Sequence, residues 1–129
     1  MAYAINHIHL KATDPKKSAD WWVGAFDFTI FSDTVRDAGD RFIAMDSSNG
    51  VRVNISEALP GQPPLASGDA GVHEGLEHFG LDSEDLEADI ERLTGLGAEV
   101  MQGPTEMGPI RICFLKAPDN VRIELIQRL

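Results

Sequence analysis

The sequence predicts an α+β fold built from two β-α-β-β-β halves. Three observations lead there. First, the chain repeats itself: Val51-Arg52-Val53-Asn54-Ile55-Ser56 returns as Val121-Arg122-Ile123-Glu124-Leu125-Ile126, and Asn6-His7-Ile8-His9-Leu10 returns as Glu77-His78-Phe79-Gly80-Leu81. Second, each half holds one stretch of helical periodicity among stretches that alternate apolar and polar residues. Third, a run containing Pro60, Gly61, Pro63, Pro64, Gly68 and Gly71 separates the copies. The expected organisation is one domain of two repeats, 4–57 and 75–128, joined by a Pro/Gly-rich loop at 58–74. A loop of that length in a small domain is commonly functional or mobile.

In the first half, residues 4–12 alternate. Ile8, Leu10 and Ala12 point one way, and His7, His9 and Lys11 the other. Thr13 or Asp14 caps a helix that Pro15 opens. Ala19, Trp22, Val23 and Phe26 form its apolar stripe. Strands are expected at 27–35 and 41–45, a hairpin turn at Ser48-Asn49-Gly50, and a closing strand at 51–56 whose polar face carries Arg52, Asn54 and Ser56. In the second half, a strand at 76–82 leads to a helix opened by Ser83-Glu84-Asp85, with Leu86, Ile90 and Leu93 on its buried side. Gly95 and Gly97 end that helix. Strands follow at 98–102, 110–116 and 121–127, with Asp119-Asn120 as the last hairpin turn. Neither half has a comfortable core alone, so the two are expected to pack as one unit.

Composition narrows the function. A chain of 129 residues with net charge −10 repels phosphate, so nucleic acid and anionic membranes are not the expected partners. A small-molecule substrate is. Cys113 is the only cysteine, which rules out an intrachain disulfide and fits a reducing cytoplasm. No signal peptide or membrane span is expected.

The repeat also gathers chemistry. His7 and His78 open equivalent strands, while Asn54 and Glu124 sit at equivalent places on the closing strands. Two imidazoles and a carboxylate suit Zn, Ni, Fe(II) or Mn. Asn54 adds a neutral oxygen ligand or holds a bound water. A lone strand histidine is usually only a hydrogen-bonded, half-buried residue; its occurrence at repeat-equivalent places makes ligation the better reading. His9 shares the face of His7, as a substrate-binding residue, an outer partner or an alternative ligand. His73 is expected to be exposed in the connection, and Cys113 to be a small core residue rather than a nucleophile.

His7-Ile8-His9-Leu10 followed by Asp14-Pro15-Lys16-Lys17-Ser18 resembles the opening of the vicinal-oxygen-chelate superfamily, which includes glyoxalase I, extradiol dioxygenases and antibiotic-resistance proteins. Gly75-Leu76-Glu77-His78-Phe79 resembles the start of its second module. The run from Ala117 to Leu125 is similar to its closing turn and strand. The resemblance implies paired βαβββ modules forming a cupped eight-stranded mixed sheet, with helices outside, around one divalent metal (Zn, Ni, Fe(II), Mn or Co). It implies His7, His78 and Glu124 as ligands, and a homodimer whose sites can draw ligands from both chains. The implied chemistry is a lyase or isomerase reaction on a substrate that chelates the metal through vicinal oxygens and passes through an enediolate. In that reaction Glu124 is the general base and His9 orients substrate or shuttles a proton. Arg52, Arg111 or Arg122 holds a substrate anion. The alternatives are an extradiol-type Fe(II) dioxygenase and a binding or resistance protein of the same fold. Two departures from the family pattern stand out. Asn54 replaces the Glu or Gln of glyoxalase I-like enzymes, and Phe114 replaces the catalytic tyrosine of the dioxygenases.

Overall fold

The computed structural model describes all 129 residues. They form eight strands, two α-helices and one 3₁₀ turn. The chain divides into two compact units, Met1–Ala66 and Ser67–Leu129. The eight strands fall into two four-stranded mixed sheets, one in each unit.

The first unit contains β1 (Ile8–Lys11), α1 (Pro15–Phe26), β2 (Thr29–Val35), β3 (Arg41–Asp46) and β4 (Arg52–Ser56). Its strand order is β1-β4-β3-β2, with β1 parallel to β4 and the remaining pairs antiparallel. Asp14 caps α1 by accepting from the Lys17 N–H, and Pro15 takes the first turn, where no N–H is needed. The helix stops at Asp27, which adopts a left-handed conformation. Its apolar stripe buries Ala19 and Trp22 against the sheet residues Ile43, Met45, Val53 and Ile55. Trp22 stacks on Phe28 with ring centroids 5.9 Å apart.

The second unit repeats the order: β5 (Phe79–Asp82), α2 (Leu86–Gly95), β6 (Glu99–Met107), β7 (Ile110–Ala117), a 3₁₀ turn (Pro118–Asn120) and β8 (Val121–Arg128). Strand order is β5-β8-β7-β6, with β5 parallel to β8. Asp85 caps α2 by accepting from the Ala88 N–H. Leu86 and Leu93 of α2, with Cys113, Leu115, Ile123 and Leu125 of the sheet, make the core. Alternation on β8 therefore sends Ile123 and Leu125 to the helix side, and Arg122 and Glu124 to the opposite face.

Most strand ends fall within two residues of expectation; the larger differences are in β1, β5 and β6. The opening strands are shorter, so His7 and His78 each stand one residue ahead of the ladder. Parallel pairing starts only at Ile8↔Val53 and Phe79↔Ile123, although β4 and β8 begin earlier, at Arg52 and Val121. β6 is longer: it continues past Gly103 and Pro104 through two register shifts. As an edge strand it tolerates a proline that a central strand would not.

Candidate metal and substrate site

In the second sheet, Glu124 pairs across the ladder with Gly80 on one side and Phe114 on the other. Its side chain is 15% exposed. A Cβ at Gly80 would lie 3.2 Å from Ile126 Cδ1 and 3.8 Å from Glu124 Oε1, so the absent side chain keeps the ground beside the carboxylate open. His78 Nε2 lies 3.9 Å from Glu124 Oε2. That is too far for a hydrogen bond. Two donors on a tetrahedral ion with bonds of about 2.0–2.2 Å are roughly 3.4 Å apart, so a small side-chain rotation lets this pair share a cation.

The ring of His78 is held on its other sides. Its Nδ1 is 2.9 Å from Glu77 Oε1, and its edge meets the face of Phe114 with centroids 5.0 Å apart. Glu77 also accepts from Arg122 Nε at 3.2 Å. The Glu77 carboxyl is kept below its usual range, first by the His78 hydrogen bond and then by the nearby Arg122 charge. Arg122 is 4% exposed. It donates to Ala70 O at 3.0 Å and Gln102 Oε1 at 3.2 Å, and lies 4.2 Å over the Phe114 ring.

In the first sheet, Asn54 occupies the register position that Glu124 takes in the second, and His9 the position of Gly80. Asn54 is 8% exposed, and its Oδ1 has no hydrogen-bond partner. His9 Nε2 is 2.7 Å from Ser56 Oγ, which also accepts from Lys11 Nζ at 2.8 Å. The His9 ring packs edge-on to Phe42 with centroids 5.5 Å apart. Its pKa is pushed down, chiefly by burial and then by the charges of Lys11 and neighbouring His7. His7 is exposed, with Nδ1 2.8 Å from Asn6 Oδ1 and its ring 6.4 Å from that of His9.

The expected residues are thus distributed over the two units. His78 and Glu124 come together in one, and His7, His9 and Asn54 lie on the other. No group of three or more His, Cys, Asp or Glu side chains is gathered to hold a metal ion. The three arginines expected to bind a substrate anion all have carboxylate partners: Arg52 pairs with Asp46 at 2.7 Å, Arg111 with Glu87, and Arg122 with Glu77. Arg52 also lies 4.4 Å over Phe31. These pairs reduce the positive charge each offers to a ligand. The sequence places Gly80 in phase with His78 and Ser56 in phase with Asn54 but signals no role for them or for Glu77, whose partners only the structure brings together.

His73 is half-buried rather than free in the connection. Nδ1 lies 2.9 Å from Gly71 O and Nε2 3.2 Å from Leu76 O. Carbonyls only accept, so both bonds together require the imidazolium. The pKa is accordingly raised above 6.5, first by the Gly71 carbonyl and then by that of Leu76. A raised folded-state value means the tie is fully present below pH 6.5 and is lost as pH climbs through the folded value. Amide protection factors over residues 71–76 should therefore fall as pH rises through that window, and His73→Ala should remove the dependence. A flat profile in the unmutated protein would show that the imidazolium does not order this turn.

A model of the Glyoxalase/Bleomycin resistance protein/Dioxygenase superfamily matches residues 4–125. The chain belongs to this superfamily. Its fold is shared with a glyoxalase family protein from Bacillus cereus at 15% identity, TM-score 0.84, covering 100% of this chain and 96% of the other. A glyoxylase/bleomycin resistance protein/dioxygenase domain from Frankia is 21% identical, TM-score 0.79, covering 100% and 94%. The fosfomycin resistance protein FosX of Listeria monocytogenes, solved with Mn(II) and sulfate, is 19% identical, TM-score 0.73, covering 100% and 95%. A search of curated proteins found no significant match. Like FosX and the other solved relatives, this superfamily member has the paired βαβββ architecture that its sequence predicts. No helix is long and apolar enough to cross a membrane.

Proposed function

We propose that this chain is a metal-dependent lyase or isomerase of the glyoxalase type, acting on a small substrate with two adjacent oxygens. The observation that carries the reading is the His78–Glu124 pair, 3.9 Å apart on a sheet face left open by Gly80. An imidazole nitrogen and a carboxylate oxygen suit Zn, Ni, Fe(II), Mn or Co. The buried, unpartnered Oδ1 of Asn54 is a second polar atom that a cation or an ordered water would satisfy. The Mn(II) in the Listeria relative supports a divalent ion.

A pair is not a complete site, and no three such side chains gather within one chain. His7 of a second copy is the third ligand in our reading, which makes the protein a homodimer. Phe31 and Val35, 67% and 69% exposed on an edge strand, are apolar surface of the kind that a second copy covers. The two units would then act as one functional domain of two repeats. The lone buried Cys113 fits a cytoplasmic setting.

When bound, the divalent ion supplies Lewis acidity that eases removal of a proton between two substrate oxygens. Glu124 accepts that proton: its carboxylate is partly exposed and has no ion pair shorter than its 3.9 Å approach to His78. The His9 pKa is lowered by partial desolvation and by the charges of Lys11 and His7, which favours the neutral imidazole suited to orienting substrate or passing a proton. Arg52, Arg111 and Arg122 are assigned to their carboxylate pairs rather than to the substrate. Nothing favours the extradiol reading, because Phe114, packed between His78 and Arg122, offers no hydroxyl.

The test is isotope exchange. Protein reconstituted with each of the five ions should wash solvent deuterium into at least one α-hydroxycarbonyl or hemithioacetal of a broad panel. Absence of exchange across panel and metals would remove the lyase and isomerase chemistry and leave a binding protein.

A further inference from the structure

We infer that Glu77 and Arg122 are positioning residues for His78, locking its ring in the tautomer that leaves Nε2 free for a cation. The inference rests on the metal-site reading above and extends it to two residues which that reading does not use.

The geometry admits one assignment. Glu77 Oε1, 2.9 Å from His78 Nδ1, belongs to a carboxylate that also accepts from Arg122 Nε at 3.2 Å. An ionised carboxylate has no proton to give, so Nδ1 must be the donor. In a neutral ring the lone pair is then on Nε2, the nitrogen that faces Glu124. Ligating histidines generally donate their second nitrogen to a carboxylate in this way, which fixes the ring and raises its basicity.

Arg122 holds Glu77 in turn. Its guanidinium is buried, and it reaches three acceptors on separate segments: Glu77, Ala70 O and Gln102 Oε1. Phe114 lies under the guanidinium and against the edge of the His78 ring. Arginine's planar fork makes this set of contacts, which a lysine ammonium would not reproduce. The order of action is therefore Arg122 to Glu77, Glu77 to Nδ1, and Nε2 toward the cation.

The experiment reads the ring directly in metal-free protein. Nitrogen-15 imidazole spectra of the unmutated chain, at a pH where His78 is neutral, should show the Nδ1–H tautomer predominating. In Glu77→Ala the spectra should move toward the Nε2–H form common in free imidazole side chains. Glu77→Gln retains an acceptor oxygen and should shift them less. By equilibrium dialysis with Zn or Mn, Glu77→Ala should bind roughly 10–100-fold more weakly. An Nε2–H ring in the unmutated protein would overturn the inference even if no variant folds. So would unmutated affinity and an unmoved tautomer in a folded Glu77→Ala. Failure of the metal reading looks different: the tautomer is as described, but the unmutated protein takes up no divalent ion.

Discussion

Protein carrying His7→Ala and protein carrying His78→Ala should each fail to retain a divalent ion, yet regain it when the two are co-expressed as a mixed dimer. His78 and Glu124 lie together in the second unit, and His7 precedes the first strand of the other unit, so the proposed ligands come from two units. In a mixed dimer, the copy with intact His7 meets the copy with intact His78 and Glu124 at one site, while the other site is doubly damaged. Elemental analysis of differentially tagged, purified mixed dimer should find one ion per dimer, against two in the unmutated protein and none in either parent. Both parents should keep their fold, since His7 is exposed and His78 half-buried. A mixed dimer as empty as its parents would mean that the ligands do not come from two chains. Monomeric behaviour in sedimentation would dispose of the arrangement altogether.

Glu124→Gln should slow solvent proton exchange into a responsive substrate by about 10²–10⁴-fold at saturating metal, the usual contribution of a placed general base. The substitution preserves volume and leaves the ladder pairing with Gly80 and Phe114 intact, so the melting temperature should change little. Metal affinity also falls, which is why the comparison needs saturation. An exchange rate within tenfold of the unmutated protein would take the base away from Glu124 and move attention to His9, the other titratable group expected to handle a proton.

Much of the fold was legible because its signals are local. Asp14 and Asp85 cap their helices, Asp119 and Asn120 take the positive φ values of a tight turn, and β8 alternates as its apolar residues dictate. Strand lengths were less legible, since apolar–polar alternation runs on beyond the paired residues and an edge strand survives proline. Of the candidate site, the strand phase of Glu124 and Asn54 could be read directly. The partners of the charged groups could not. Arg122 has the same phase as Glu124, but its engagement with Glu77, Ala70 and Gln102 depends on segments far apart in sequence. His73 lies in the connection as expected but is half-buried rather than exposed, because its carbonyl partners are backbone atoms, which side-chain patterns do not reveal.

The start of the second unit has a practical consequence for module exchange. Asn120 donates to Ser67 Oγ at 2.8 Å, and Gly68 passes so close to the last turn that a Cβ would come within 2.9 Å of Asp119 O. Ala70 accepts from Arg122. A chimaera that grafts the carboxylate-bearing half onto a foreign partner should therefore take its cassette from Ser67, well upstream of β5. A cut nearer Phe79 would strip the plug from the final turn and leave a buried guanidinium short of an acceptor.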